Sequence, residues 1–172
     1  MSSHPFEFMR LPFGLLIALD SRMFHFWIQP IHFLLRILHL LSMAVFFGMV
    51  LMLQGGIWNR KAHIPLRPVT ELVLPWLHWS FAVCMVTGVL LFFYDPVHVG
   101  SRGYFTPKLL LMAIAMTLGW FGHRRTLKPT LLSGVPASRE SRVTAMLSMV
   151  LWAGVVICSC LNTEGVPKVF LR

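Results

Sequence analysis

Four stretches of the chain are predominantly apolar and separated by short polar segments. They run over residues 31–53, 72–94, 105–122 and 143–161. A membrane-spanning helix needs about 20 predominantly apolar residues, so each stretch has roughly the length required to cross a bilayer. Gln29 and Pro30 precede the first stretch, and Thr106 with Pro107 forms a helix-starting pair at the third. The pattern predicts an all-α integral membrane protein built as a four-helix bundle.

The N-terminal segment, residues 1–30, has a different pattern. It is apolar and ends in aromatic residues, but four charged residues interrupt it: Glu7, Arg10, Asp20 and Arg22. This mixture is typical of an amphipathic helix that lies in the membrane interface; the alternative is a fifth, degenerate span. We therefore divide the chain into an interfacial segment, 1–30, and a four-span domain, 31–172.

Composition supports a membrane location. The chain of 172 residues is 56% hydrophobic and 12% charged, and its mean hydropathy is +0.71. Soluble domains are about half apolar and about one quarter charged, so soluble enzyme classes are excluded. The formal net charge of +9 does not indicate nucleic-acid binding, because the basic residues lie between apolar runs, where they set topology and meet anionic lipid.

The loop cations predict an orientation. The side of the membrane with the loops after the first and third spans has more basic residues than the opposite side. They are Arg60, Lys61, Arg67, Arg124, Arg125, Lys128, Arg139 and Arg142. The side with both termini holds Arg10, Arg22, Arg102, Lys108, Lys168 and Arg172. By the positive-inside rule, the two loops face the cytoplasm and both termini face outward.

Histidine is unusually frequent for so apolar a chain, which contains eight histidines. One face of the first span carries candidate ligands and a cation at helical spacing: His32, Arg36, His39 and Met43. An ionisable group within a span is costly and usually has a partner or a path to water. The alternative for Arg36 is that its side chain snorkels to the surface alone.

Lys108 extends this interpretation to the third span. It lies in the first helical turn, where the helix dipole disfavours a cation, and on the same side of the membrane as Arg36. A b-type haem needs an axial nitrogen for its iron and cations for its propionates. We predict His39 as axial ligand and Arg36 with Lys108 as propionate partners. His32 or His98 is the candidate second ligand, or else each simply forms hydrogen bonds at the interface.

A second candidate site lies on the opposite side of the membrane, at His78 and His123. At 1.5 Å of rise per residue, His39 and His78 are too far apart in a core about 30 Å thick to bind one iron. His78 is therefore a candidate ligand for a second haem iron. The alternative is an ordinary interfacial histidine, flanked here by Trp76 and Trp79.

The three cysteines, Cys84, Cys158 and Cys160, all lie inside apolar runs, so no disulfide framework is predicted. Cys158 and Cys160 have the chemistry for a soft metal such as Cu(I). Their spacing on a helix points the two thiols apart, which favours a packing role.

Residues 30–108 resemble a family of small bacterial inner-membrane proteins with four spans, and the resemblance extends into the last span. The resemblance rests on short motifs: Arg36-Ile37-Leu38-His39, Leu74-Pro75-Trp76, Thr87-Gly88-Val89-Leu90, Phe105-Thr106-Pro107-Lys108 and Leu151-Trp152. It implies a bacterial inner-membrane location, with both termini then in the periplasm.

More distantly, the chain is similar to copper-resistance D membrane proteins and to HemJ-type protoporphyrinogen oxidases, and its architecture loosely resembles the four-helix dihaem cytochromes b. The HemJ resemblance implies haem binding and points to His39 and Lys108. The tryptophan and the tyrosine-rich exit of the HemJ pattern are absent after Gly48, which argues against porphyrinogen oxidation.

These observations predict a membrane protein that binds one b-type haem, or two, and exchanges electrons with a periplasmic partner or a quinone. A different class of function is a cofactor-free subunit that anchors or assembles a larger membrane complex. Copper handling and HemJ-like porphyrinogen oxidation are further alternatives, which rest on distant resemblance.

Overall fold

The computed structural model describes residues 11–58, 66–122 and 138–164, and these residues form helices and short connections with no strand. The helices are α1 Phe13–Leu19, α2 Arg22–Ile28, α3 His32–Trp58, α4 Leu66–Tyr94, α5 Pro96–Gly100, α6 Phe105–Gly122 and α7 Arg139–Glu164. The all-α prediction is confirmed.

Four helices, α3, α4, α6 and α7, are long and apolar enough to cross a membrane. The predicted four-helix bundle is thereby confirmed. Three of these helices, α3, α4 and α7, extend beyond the predicted spans. As a result Pro75, predicted near the first turn of its helix, lies inside α4.

The long helices have a definite order of packing. α3 packs against both α4 and α7, and α6 packs against α7. α4 and α6 meet at one end of the bundle, where the rings of Phe92 and Phe105 stack with centroids 5.2 Å apart. We call this the α5 end, since α5 lies between those two helices, and we call the opposite one the far end.

Small residues permit the close approach of α6 and α7. Ala115 and Ala145 are fully buried, and a Cβ placed on Gly122 would lie 2.6 Å from the Thr144 methyl carbon. Helices in lipid associate mainly through such close van der Waals packing, because lipid tails are as apolar as the side chains themselves. These residues therefore determine how near α6 lies to α7.

Two short helices precede the first span, where the sequence predicted one interfacial helix. Ser21 caps α2 by accepting a hydrogen bond from the Phe24 backbone N–H (3.5 Å). A 3-10 turn, Gln29–Ile31, then joins α2 to α3. The outward side of α2 is apolar, with Phe26 and Trp27 about 70% exposed. The interfacial role of this segment stays a prediction.

The bundle interior is layered along its length. In the middle, the rings of Phe46, Phe81 and Trp152 pack with centroids 4.7 to 6.0 Å apart. Towards the far end, Gln54 Nε2 donates to Ser148 Oγ (2.8 Å), and both residues are buried. Towards the α5 end lies a second polar layer, which contains His39.

Candidate functional site

His39 is held against α4 by its Nδ1 atom. This atom lies 3.1 Å from the Cys84 carbonyl oxygen and 3.0 Å from Thr87 Oγ1. A carbonyl oxygen only accepts hydrogen bonds, so Nδ1 carries a proton and donates it. In the neutral imidazole the lone pair then resides on Nε2.

Thr87 acts as a second acceptor for the same N–H group. Its hydroxyl donates within α4 to the Val83 carbonyl (2.7 Å), which leaves an Oγ1 lone pair for His39. No residue in the described parts of the chain forms a hydrogen bond with His39 Nε2. Histidines that ligate metals commonly have this arrangement, in which one ring nitrogen donates to a carbonyl and the other binds the metal.

Ser42 and Cys84 complete the surroundings of the imidazole. Ser42 is buried, lies beside the Cys84 thiol and donates to the His39 carbonyl (3.0 Å). Cys84 Sγ is 3.8 Å from His39 Nδ1. The polar groups of this layer thus contact one another.

Lys108 brings a positive charge to this layer. It lies in the first turn of α6, is half-buried, and is close enough to His39 and Cys84 for its charge to affect their ionisation. Cys158 on α7 lies within the same electrostatic range of Lys108. The structure therefore brings together His39 and Lys108, which the sequence placed at one depth, and all four long helices contribute to the layer.

Arg36 does not lie in the polar layer with His39 and Lys108. The inward face of α3 is centred on Leu35, His39, Ser42 and Phe46, and Arg36 is exposed on its flank. The spacing of polar residues in the sequence shows which of them share one face of α3. The packing of α3 against α4 and α7 decides which face of the helix points inward.

His32 and His98 have partners of their own at the α5 end. His32 Nδ1 lies 3.0 Å from the Gln29 carbonyl oxygen, and its ring stacks on Tyr94 with centroids 5.1 Å apart. His98 Nε2 accepts from the Arg102 guanidinium at 2.8 Å. Both therefore have the hydrogen bonds that the alternative interpretation expected, and neither is hydrogen-bonded to His39.

The second candidate site is only partly described. His78 is exposed on the outward side of α4, beside the exposed Trp76 and Trp79. His123 lies outside the described residues. Within the described ranges, no group of three or more His, Cys, Asp or Glu side chains is placed to hold a metal ion.

The cysteines of α7 do not form a shared site. Cys158 is half-buried, whereas Cys160 is exposed, as expected for helical positions two residues apart. All three cysteines are free thiols.

Sequence reasoning missed the contribution of α4 to this layer. Ser80, Cys84 and Thr87 follow one another at spacings of four and three residues and all face inward. This polar line within an apolar span was readable as one helix face. The contact of this face with His39 could not be predicted, because contacts between two helices produce no pattern within either sequence segment.

No family model, curated protein or solved structure matches this chain. The chemistry of the His39 layer is therefore the basis of the functional proposal.

Proposed function

We propose that this protein is a membrane-embedded b-type haem protein that exchanges electrons with a periplasmic partner or a quinone, with His39 as an axial ligand. The observation that carries the proposal is the hydrogen bond from His39 Nδ1 to the Cys84 carbonyl. It leaves Nε2 with the lone pair that an iron ion requires.

The residues of the layer fit a haem in part. His39 would supply a nitrogen ligand to the iron, and Lys108 would supply one cation for a propionate. Arg36 lies on the flank of α3 and His78 faces outward, so the described residues favour one haem over two. A bound haem would supply one-electron chemistry at its iron, while the chain would hold it, orient it and limit its contact with water.

The location proposed for the protein is the bacterial inner membrane, with both termini in the periplasm. The cation excess on the two loops after the first and third spans supports this orientation. The α5 end, and with it His39, would then lie near the periplasmic face, where a periplasmic redox partner has access.

The test is a dithionite-reduced minus oxidised absorption spectrum of the purified protein, with a pyridine haemochrome count. We expect a b-type α-band at about one haem per chain, its loss in His39→Ala, and its retention in the matched control His78→Ala. Absence of a Soret band after expression with ample haem would overturn the proposal. Loss of the band in the control alone would overturn the assignment of the ligand.

One observation favours the anchoring function as a second candidate. Ala44 and Gly48 lie on the exposed side of α3, and a Cβ on Gly48 would have open space around it. A helix of another subunit can approach closely over such small residues. This candidate predicts a haem-free protein that co-purifies with a larger complex and is released from it by Gly48→Leu.

A further inference from the structure

Gly88 lies directly against the His39 ring. A Cβ placed on Gly88 would be 3.0 Å from Cε1, 3.5 Å from Nδ1 and 3.9 Å from Nε2 of His39. The shortest of these distances is at the limit that real Cβ atoms reach in proteins, so an added methyl group would require the imidazole to move.

The imidazole has little freedom to move. Its Nδ1–H is shared between the Cys84 carbonyl and Thr87 Oγ1, at distances of 3.1 and 3.0 Å. Both acceptors belong to the same stretch of α4 as Gly88. A displacement of the ring away from Gly88 would therefore lengthen the two contacts that determine its tautomer.

We infer that Gly88 is a positioning residue: by lacking a side chain, it lets the His39 imidazole lie close enough to α4 for Cys84 and Thr87 to hold the proton on Nδ1. The direction of Nε2 follows from this position. The expected effect of Gly88 on haem binding rests on the proposed function, whereas its expected effects on the His39 tautomer and on stability do not.

The first test measures stability through a double-mutant cycle of Gly88→Ala and His39→Ala, in purified protein in detergent. If the methyl group clashes with the imidazole, Gly88→Ala lowers the unfolding midpoint when His39 is present and has no such effect in the His39→Ala background. An equal loss in both backgrounds would overturn the inference. This comparison remains informative even if Gly88→Ala folds poorly.

A second test measures the tautomer by nitrogen-15 NMR of histidine-labelled protein, with the His39 signal assigned from His39→Ala. We expect a single Nδ1–H tautomer in the unchanged protein and a mixture of tautomers in Gly88→Ala. Gly55→Ala is the matched control, because Gly55 is half-buried like Gly88 and nothing lies within 4 Å of a Cβ placed on it. A pure Nδ1–H tautomer in Gly88→Ala would contradict the inference.

The haem readout separates the two proposals. Groups that orient a metal ligand typically change metal affinity by about 10- to 100-fold, so Gly88→Ala should weaken haem binding by that order while Gly55→Ala leaves it unchanged. If the unchanged protein binds no haem, the proposed function fails and the NMR and stability tests still decide the role of Gly88. Undiminished haem affinity in Gly88→Ala would overturn the inference alone.

Discussion

At the scale of residues, the imidazole of His39 illustrates how a polar group is accommodated in a membrane bundle. A buried donor without an acceptor is costly in an apolar medium. The Nδ1–H group meets two acceptors on the neighbouring helix, the Cys84 carbonyl and Thr87 Oγ1. The Cys84 carbonyl and the Thr87 hydroxyl thus stabilise α3 against α4 and orient the imidazole at the same time.

Thr87→Val tests this contribution. Valine keeps the shape of threonine but removes Oγ1, so we expect the free energy of unfolding to fall by about 0.5–1.5 kcal/mol, the usual net value of one hydrogen bond. The measurement is denaturant unfolding in detergent. Thr117→Val is the matched control, because Thr117 is exposed and its hydroxyl bonds only within α6 to Ala113 (2.6 Å). Equal losses in the two variants would argue against a special role for Thr87.

At the scale of elements, α1 is anchored to the connection between two spans. Leu16 is completely buried, and a Cβ on Gly100 of α5 would lie 2.5 Å from its Cδ2. The backbone N–H of Leu11 also donates to the Gly100 carbonyl (3.4 Å). One leucine side chain and the glycine beneath it therefore hold the N-terminal helix to the bundle.

Leu16→Ala should release α1 without unfolding the bundle. Removing a buried leucine side chain costs about 2–5 kcal/mol, part of it from the cavity left behind. We expect tryptic cleavage after Arg22 to accelerate at least about tenfold, since 1.4 kcal/mol corresponds to a factor of ten. The readout is limited proteolysis followed by mass spectrometry. Leu15→Ala is the control, because Leu15 is 49% exposed; acceleration of the same size there would mean that Leu16 does not anchor α1.

At the scale of the whole molecule, the bundle has two dissimilar ends separated by aromatic rings. His39 and Lys108 lie towards the α5 end, and the pair Gln54 and Ser148 lies towards the far end. The side of the membrane on which the α5 end lies determines which partners can reach His39.

Orientation is testable with single cysteines in a variant whose native cysteines are serine. The cation distribution predicts that Asp20→Cys, at the α5 end, reacts with a membrane-impermeant maleimide in cells with a permeable outer membrane. Ser138→Cys, just before α7, should react only after the inner membrane is opened. Both positions are exposed. The reverse labelling pattern would show that the protein is inserted the other way round.

The number of spans was readable from the sequence because insertion into lipid depends on a local property. Each apolar stretch must satisfy its own backbone hydrogen bonds, and a helix of sufficient length does so without reference to its neighbours. His39 and Lys108 could be identified as candidate site residues for a similarly local reason, because an ionisable side chain is conspicuous in an apolar run.

The tertiary structure alone decided which helices are neighbours and how each is rotated. Helices in lipid associate through complementary shapes and a few polar contacts. Both involve residues that are far apart in the chain. The rotation of α3 turned His39 inward and left Arg36 on the flank. The packing of α3 on α4 brought Cys84, Thr87 and Gly88 to the imidazole, because hydrogen-bond geometry and close contact exist only once both helices are in place.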